Sequence, residues 1–183
     1  MIYKFIPGVF SPQECLAIIE QAEAAGLSAA SVAFSSGAQV DARIRNNDRV
    51  NFTDTQLLAT WWQRLQAQLP VVSTWGITAG LNPALRVYRY LPGQRFKAHK
   101  DGVVHLPDGS QTRLTALLYL NDVAAGGETL LLPEGPASAV SVPIPPQCGA
   151  VLLFEHRCWH EGATLQSGRK YVLRTDVIYS NSI

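Results

Sequence analysis

The chain is short of charge. Asp, Glu, Lys and Arg make up only 16% of its 183 residues, and 15 basic side chains against 14 acidic ones leave a formal net charge of +1. That near balance excludes the global basic footprint on which tight, sequence-independent nucleic-acid binding depends, and leaves room only for a local basic patch. Cysteine is equally scarce. Cys15, Cys148 and Cys158 form neither a paired framework nor a metal knuckle, and are expected to be reduced, buried thiols in a cytoplasmic protein. Long apolar runs are missing as well. Thr115–Leu120 and Ala150–Phe154 fall far below the roughly 20 residues that span a bilayer, so no membrane partner is expected. The opening MIYKFIPGVFSPQE lacks the apolar core and small-residue cleavage site of a signal peptide. There is no internal repeat and no low-complexity tract. What remains is an ordinary globular composition, 47% apolar, long enough for one domain over residues 1–183 to bury a proper core.

Periodicity divides the sequence in two. Met1–Phe10 reads as a short strand. Ser11-Pro12-Gln13-Glu14 combines an N-cap serine, a proline at the first helical position and a glutamate three residues after the cap. Cys15, Ile18, Ile19 and Ala22 then form an apolar stripe, and Gly26 stands where the helix would stop. A second helix is predicted from about Asp54 to Leu69, burying Leu57, Leu58, Trp61, Trp62, Leu65 and Leu69, with Pro70 ending it. Between the helices, Ser35–Asn51 (SSGAQVDARIRNNDRVN) is polar and turn-rich. It carries Arg43, Arg45 and Arg49, and reads either as a solvated loop with internal ion pairs or as a flap that meets a substrate. From residue 81 the pattern changes to short strands and frequent turns: Leu114–Leu120, Glu128–Leu132, Ala139–Ile144, Ala150–Phe154 and Arg169–Tyr179. Such spacing predicts a mainly β antiparallel sandwich or barrel, with residues 1–80 as a helical support and 81–183 as its core.

The chemistry gathers around Arg86–Gly102, RVYRYLPGQRFKAHKDG, which reads as strand, turn, strand. Tyr88 and Tyr90 share one face at the strand period of two, and Leu91-Pro92-Gly93-Gln94 supplies the turn. His99 and Asp101, two residues apart on an extended segment, project the same way with Cα atoms roughly 6.5–7 Å apart. A third ligand is available downstream, where Ala150–Phe154 leads into His156 and His160; His105 reads as an ordinary hydrogen-bonded residue. Two histidines and a carboxylate form the facial set that holds Fe(II) with positions open for a chelating cosubstrate and O₂. A chelating 2-oxo acid would leave its far carboxylate needing a cation in an apolar cavity. Lys170, Val172 and Arg174 share one face of the last strand, so one cation could take that role while the other pairs with Glu128 or Asp176.

These residues carry a resemblance. YxxGxxFxxHxD over Tyr90–Asp101, Leu117-Leu118-Tyr119-Leu120-Asn121, Gly126-Gly127-Glu128-Thr129, and His160 followed ten residues later by Lys170 resemble the Fe(II)/2-oxoglutarate-dependent dioxygenases of the prolyl 4-hydroxylase-like group, over roughly residues 83–180. The resemblance implies a double-stranded β-helix (jelly-roll) core backed by the N-terminal helices. It implies His99, Asp101 and His160 as iron ligands, with Fe(II), 2-oxoglutarate and O₂ as cofactor and cosubstrates and ascorbate as a reductant. Lys170 becomes the partner of the 2-oxoglutarate C5 carboxylate, Tyr90 a hydrogen-bond donor to it and Arg174 a further candidate for cosubstrate binding. His156 falls four residues early for the distal ligand and is read as a supporting or structural residue.

Related halogenases keep a small residue where this protein has Asp101, so the resemblance implies hydroxylation of a C–H bond with release of succinate and CO₂. A prolyl or other amino-acid side chain, peptidyl or free, is the implied substrate; Trp159, Arg157 and the Arg43–Asn51 loop are candidates to contact it. Three alternatives differ in the residues they require. A cupin-like metal enzyme would not need a buried cation ten residues beyond the distal histidine. A nucleic-acid dealkylating oxygenase draws support from the Arg43–Arg49 cluster and is opposed by the neutral charge. A metal-free interaction module would need a broken ligand set.

Overall fold

The computed structural model describes residues 1–34, 37–70, 72–137 and 139–180. In sequence order its elements are β1 (Tyr3–Ile6), α1 (Pro12–Ala25), β2 (Ser28–Ala29), β3 (Val32–Phe34), β4 (Gly37–Gln39), β5 (Asp48–Phe52), α2 (Thr55–Leu65), β6 (Ile77–Leu81), β7 (Leu85–Tyr90) and β8 (Phe96–His99). There follow β9 (Gln111–Tyr119), β10 (Ala125–Gly126), β11 (Thr129–Leu132), β12 (Val142–Ile144), β13 (Val151–Glu155), β14 (Trp159–Gly162), β15 (Leu165–Ser167) and β16 (Lys170–Ser180).

Two sheets make the core. The larger runs β1-β13-β9-β16-β7-β5-β2, with β6 also pairing β16, and the smaller runs β12-β11-β14-β8. Their strand pairs are antiparallel. Register sorts the larger sheet into two faces. Tyr88 lies opposite Val172 and Arg49, Arg86 opposite Arg174, Tyr90 opposite Lys170, and Leu117 opposite both Arg174 and Leu152. With the two-residue period of a strand, all of these look the same way. Leu117, Tyr119, Leu152, Phe154 and Val172 meet Leu131 and Ile144 of the smaller sheet in one apolar cluster. The alternate residues, among them Val87, Leu114, Ala116, Leu118, Leu153 and Leu173, pack on the other side with Cys15, Ile18, Ala22, Trp61 and Leu65 of the two helices. The arrangement is a mainly β jelly roll with helices outside one sheet.

The helices form where capping and periodicity place them. Ser11 Oγ accepts the Glu14 amide at 3.3 Å while Glu14 Oε2 accepts the Ser11 amide at 2.8 Å, a reciprocal cap worth about 1 kcal/mol. The second helix is shorter than the predicted Asp54–Leu69. It ends at Leu65 and tightens into a 3₁₀ turn over Gln66–Gln68 before Pro70.

Two more boundaries differ. The strand predicted over Ala139–Ile144 is confined to Val142–Ile144, with Val140 exposed. The first eighty residues supply strands as well as helices, since β1, β2 and β5 lie in the larger sheet. The polar Ser35–Asn51 segment is partly one of them. Ser35 and Ser36 lie outside the described residues, but Asp48–Phe52 is a strand paired to β7. Its Val50 and Phe52 pack toward the helices while Arg49 looks into the molecule's cleft, so a strand with one polar face reads as a loop by composition.

Candidate metal centre

Strand pairing builds the site. β8 and β14 are neighbours in the smaller sheet, and His99 and His160 are direct Cα partners across them. Asp101 lies just past the end of β8, where its amide donates to the carbonyl of His156 at 3.1 Å. One ligand atom from each of His99, Asp101 and His160 lies within 4.8 Å of the other two. Nε2 of His99 is 3.9 Å from Asp101 Oδ1, and Nε2 of His160 is 3.6 Å from Asp101 Oδ2.

The tautomers follow from the partners of the other ring nitrogens. His99 Nδ1 meets the Lys97 carbonyl at 2.7 Å, and His160 Nδ1 meets the Cys158 carbonyl at 3.0 Å. A carbonyl only accepts, so each Nδ1 carries the proton and each Nε2 presents a lone pair toward Asp101. Burial keeps both rings neutral. It is the largest cause holding His99 down at about 3, with His160 adding to it, and burial likewise lowers His160.

Asp101 is held ionised. Burial opposes its charge, but Arg174 first, and then the Thr115 hydroxyl, bring its carboxyl far below the usual range. Arg174 Nη1 donates to Oδ1 and Thr115 Oγ1 to Oδ2, both at 2.5 Å. Two neutral imidazole nitrogens and one carboxylate, side by side and lining one cavity, fit a divalent iron whose remaining positions stay accessible.

His156 stands outside this set. Its Nδ1 and Nε2 are each 3.0 Å from a threonine hydroxyl, those of Thr115 and Thr112. Because Thr115 spends its proton on Asp101, His156 Nδ1–H donates to Thr115, and the bare Nε2 accepts from Thr112. The Val104 amide donates to Thr112 at 2.9 Å and completes the relay. Neither threonine was singled out from sequence. Position on β9, facing Asp101 and His156 from the larger sheet, is not written in local spacing.

The same cavity extends along the inner face of the larger sheet to Lys170, past Leu117, Thr129, Phe154 and Val172. Lys170 Nζ donates to the Gly127 carbonyl at 2.5 Å and lies 5.2 and 5.6 Å from the Tyr90 and Tyr119 rings. Among the described residues it has no carboxylate within ion-pair distance, and burial pulls its ammonium down to about 7. Tyr90, its direct strand partner, is buried, with a hydroxyl pushed up to about 12 that makes no hydrogen bond among the described residues. Of the two cations expected on the last strand, Arg174 is the one with carboxylate partners: Asp101, and Asp176 at 3.0 Å.

Other sequence candidates scatter. Arg43 is exposed and paired to Asp41, while Arg45 and Arg49 line a cleft next to the metal-side cavity. Arg157 lines a separate depression with Trp75 and Arg113. Trp159 alternates with His160, so it faces away from the ligands, and Lys100 lies over its ring.

Comparison with known proteins agrees with the geometry. Residues 85–175 match the family model of the 2OG-Fe(II) oxygenase superfamily. The chain belongs to that superfamily. None of the curated proteins matches it in sequence. Among solved structures, it is similar to a viral collagen prolyl hydroxylase from Paramecium bursaria Chlorella virus-1, with a TM-score of 0.70 and 21% identity over 98% of this protein and 97% of that one. A prolyl hydroxylase from Trichoplax adhaerens, in complex with a hypoxia-inducible-factor peptide fragment, gives 0.71 and 18% over 96% and 82%. The alpha-ketoglutarate-dependent epimerase SnoN from nogalamycin biosynthesis gives 0.62 and 18% over 97% and 76%. This oxygenase therefore shares its fold with both hydroxylases and an epimerase. No helix among its described residues is long and apolar enough to cross a membrane.

Proposed function

We propose that this oxygenase is a hydroxylase in which His99, Asp101 and His160 hold Fe(II) and Lys170 and Tyr90 hold 2-oxoglutarate. One observation carries the reading: a single cavity joins three convergent ligand atoms to a buried ammonium that lacks a carboxylate partner among the described residues. When bound, iron and 2-oxoglutarate supply oxygen activation, with one atom of O₂ going to a C–H bond and the other to succinate as CO₂ leaves.

The protein's own residues do the rest. His99 and His160 offer fixed lone pairs, and Asp101 offers a carboxylate that Arg174 and Thr115 hold in orientation. Lys170 would neutralise the C5 carboxylate of the cosubstrate, with the Tyr90 hydroxyl as a second donor. Leu117, Phe154 and Val172 line the cavity between and exclude water. Arg174 is already committed to Asp101 and Asp176, and we read it as positioning Asp101 rather than as taking the cosubstrate.

A prolyl or other amino-acid side chain, peptidyl or free, is the proposed substrate; the peptide held by the Trichoplax enzyme supports the peptidyl form. Ascorbate as reductant belongs to the same reading, and so does a cytoplasmic location, which the three free thiols support.

The experiment is succinate formation from 2-oxoglutarate with Fe(II), ascorbate and O₂, compared with His160→Ala, alongside an anaerobic titration for the visible metal-to-ligand charge-transfer band. Iron-dependent succinate lost in the variant supports the proposal. Absence of both signals from folded, iron-loaded protein removes it in favour of a metal enzyme that does not use 2-oxoglutarate.

A further inference from the structure

A second cleft opens beside the metal-side cavity and shares Tyr88, Phe96, His99, Asp101 and Arg174 with it. Its charge is lopsided. Among the described residues, Arg45, Arg49, Arg86, Lys100 and Arg174 face only Asp101 and Asp176 there, an excess of three positive charges (five minus two) in a protein whose formal total is +1. Iron and 2-oxoglutarate, of opposite and equal charge, would leave that excess unchanged.

Arg45 is 5% exposed, with its guanidinium between the Tyr88 and Phe96 rings at 4.4 and 4.3 Å. Its Nε donates to Asn47 Oδ1 at 2.7 Å, and its Nη2 is buried with no partner among the described residues. Arg49 spends one nitrogen on Ser31 Oγ at 3.0 Å. Among the described residues, neither has a carboxylate within ion-pair distance. Arg86 leans on Asp176 at a long 3.4 Å. Burial, and then the fields of Arg45 and Arg86, lower the Arg49 guanidinium from its ordinary value, so the three cations act on one another. Clustered, partly desolvated cations are costly unless an anion joins them.

Resting on the oxygenase reading above, we infer that the primary substrate is a small carboxylic acid, of the size of a free amino acid, whose carboxylate docks on Arg49 and Arg86. Arg45, clamped between its two rings, adds its field without touching the ligand. Position carries the size limit. Arg86 lies directly across from Arg174, the residue whose guanidinium grips Asp101. Both guanidinium groups share the Asp176 carboxylate, at 3.4 and 3.0 Å, so an anion on Arg86 stands one carboxylate and one guanidinium away from Asp101. A free amino acid can span that gap and offer the iron site a C–H bond of its side group. A nucleic-acid strand would need a basic track longer than this cleft, and a formal net charge of +1 argues against one.

The test is a panel of free amino acids and simple organic acids, each paired with its primary amide, scored for stimulation of succinate formation from 2-oxoglutarate. The expected stimulators are acids whose amides are inactive. Arg49→Gln and Arg86→Gln should each raise the half-saturating concentration of the stimulating acid about tenfold or more, while the KM for 2-oxoglutarate stays within twofold. A rise in the KM for 2-oxoglutarate instead would assign these arginines to the cosubstrate and overturn the inference. Stimulation by amides or by internal peptides overturns it too, as does a panel that leaves basal succinate formation unstimulated; in all three the oxygenase reading stands. Only the absence of succinate and of the charge-transfer band together removes that reading. The acid–amide comparison uses the unaltered protein, so it decides the matter even if a variant misfolds.

Discussion

Thr115 donates its hydroxyl to Asp101 Oδ2 at 2.5 Å, although the two residues are fourteen positions apart and Asp101 lies outside the strand that carries Thr115. The contact ties a proposed iron ligand to the larger sheet and sets the direction of the hydrogen bonds running on through His156 and Thr112. Thr115→Val keeps the shape and removes both functions. It should weaken Fe(II) binding roughly 10- to 100-fold, the usual effect of losing a partner that orients a ligand, while Thr115→Ser restores most of the affinity. Metal titration of the two variants checks this; equal affinities for Thr115→Val and the parent protein would sink the idea.

How much of this was legible beforehand differs by residue. His99 and Asp101 are legible as a pair because iron chemistry restricts the residue types and their spacing follows the strand period, whereas the choice of His160 over His156 rests on the resemblance. A buried cation on the apolar last strand demands a partner, but that argument covers Arg174 as well, and the choice of Lys170 rests on the resemblance. Thr115 and Thr112 could not be named, since a threonine inside an apolar run looks like strand filler and one between Gln111 and Arg113 looks like loop, until pairing brings them to Asp101 and His156. Trp159 misled for a simpler reason. It is adjacent to His160, and adjacency on a strand means opposite faces. The Arg43–Asn51 segment split, with Arg43 solvated and Arg45 and Arg49 in the cleft, because part of it is a strand whose inner face is polar.

Lys170 makes cosubstrate binding depend on pH. Its ammonium, lowered to about 7 by burial despite the favourable field of Glu128, is only partly charged at neutral pH in the unliganded protein. An incoming carboxylate favours the charged form, so binding above pH 7 must take up a proton. Affinity for 2-oxoglutarate should therefore fall as pH rises from 7 to 9, by up to about tenfold per unit. Calorimetry in two buffers of different ionisation heat would detect the proton. Uptake of none at pH 8 would show that Lys170 is not the partner.

The same burial makes Lys170 a liability to stability. A base whose pKa drops on folding binds fewer protons folded than unfolded between about 7 and its ordinary 10.5, so its cost is complete below pH 7 and fades as pH climbs through that window. Lys170→Met should bind 2-oxoglutarate poorly yet resist urea better than the parent at pH 6, by an amount on the order of a few kcal/mol, with the gap closing toward pH 10. Unfolding curves at several pH values test the sign. A variant less stable than the parent at pH 6 would mean that the Gly127 hydrogen bond outweighs the buried charge.

Gly127 has its own part in placing that ammonium. It adopts φ +75°, and a Cβ there would stand 3.1 Å from Leu165 Cδ1 and 3.3 Å from Lys170 Cδ. Gly127→Ala should push the lysine stem and shift the carbonyl that receives Nζ. The half-saturating concentration of 2-oxoglutarate should rise about tenfold, with Fe(II) affinity within twofold of the parent. A parallel loss of both would point to general disorder of the cavity instead.

Gly149 separates fold from site most sharply. Its φ is +74°, its amide donates to the Tyr119 carbonyl at 2.8 Å, and its own carbonyl accepts from Val9 and Phe10 at 2.8 and 3.1 Å. A Cβ at this position would stand 1.9 Å from the Phe10 carbonyl oxygen, a backbone atom with no rotamer by which to swing aside. Phe10 belongs to the helix-side core, so the clash would pry the start of α1 from the sheet rather than disturb the cavity on the opposite face. Gly149→Ala combines left-handed strain with broken backbone bonds, and should cost about 3 kcal/mol or more. For a protein of this length that lowers Tm by roughly 6–12 °C. Well below that Tm, the charge-transfer band of the Fe(II)–2-oxoglutarate complex should be retained. A Tm within 2 °C of the parent would mean that the Phe10 turn relaxes freely, and a lost band in folded protein would mean that the two faces of the sheet are coupled.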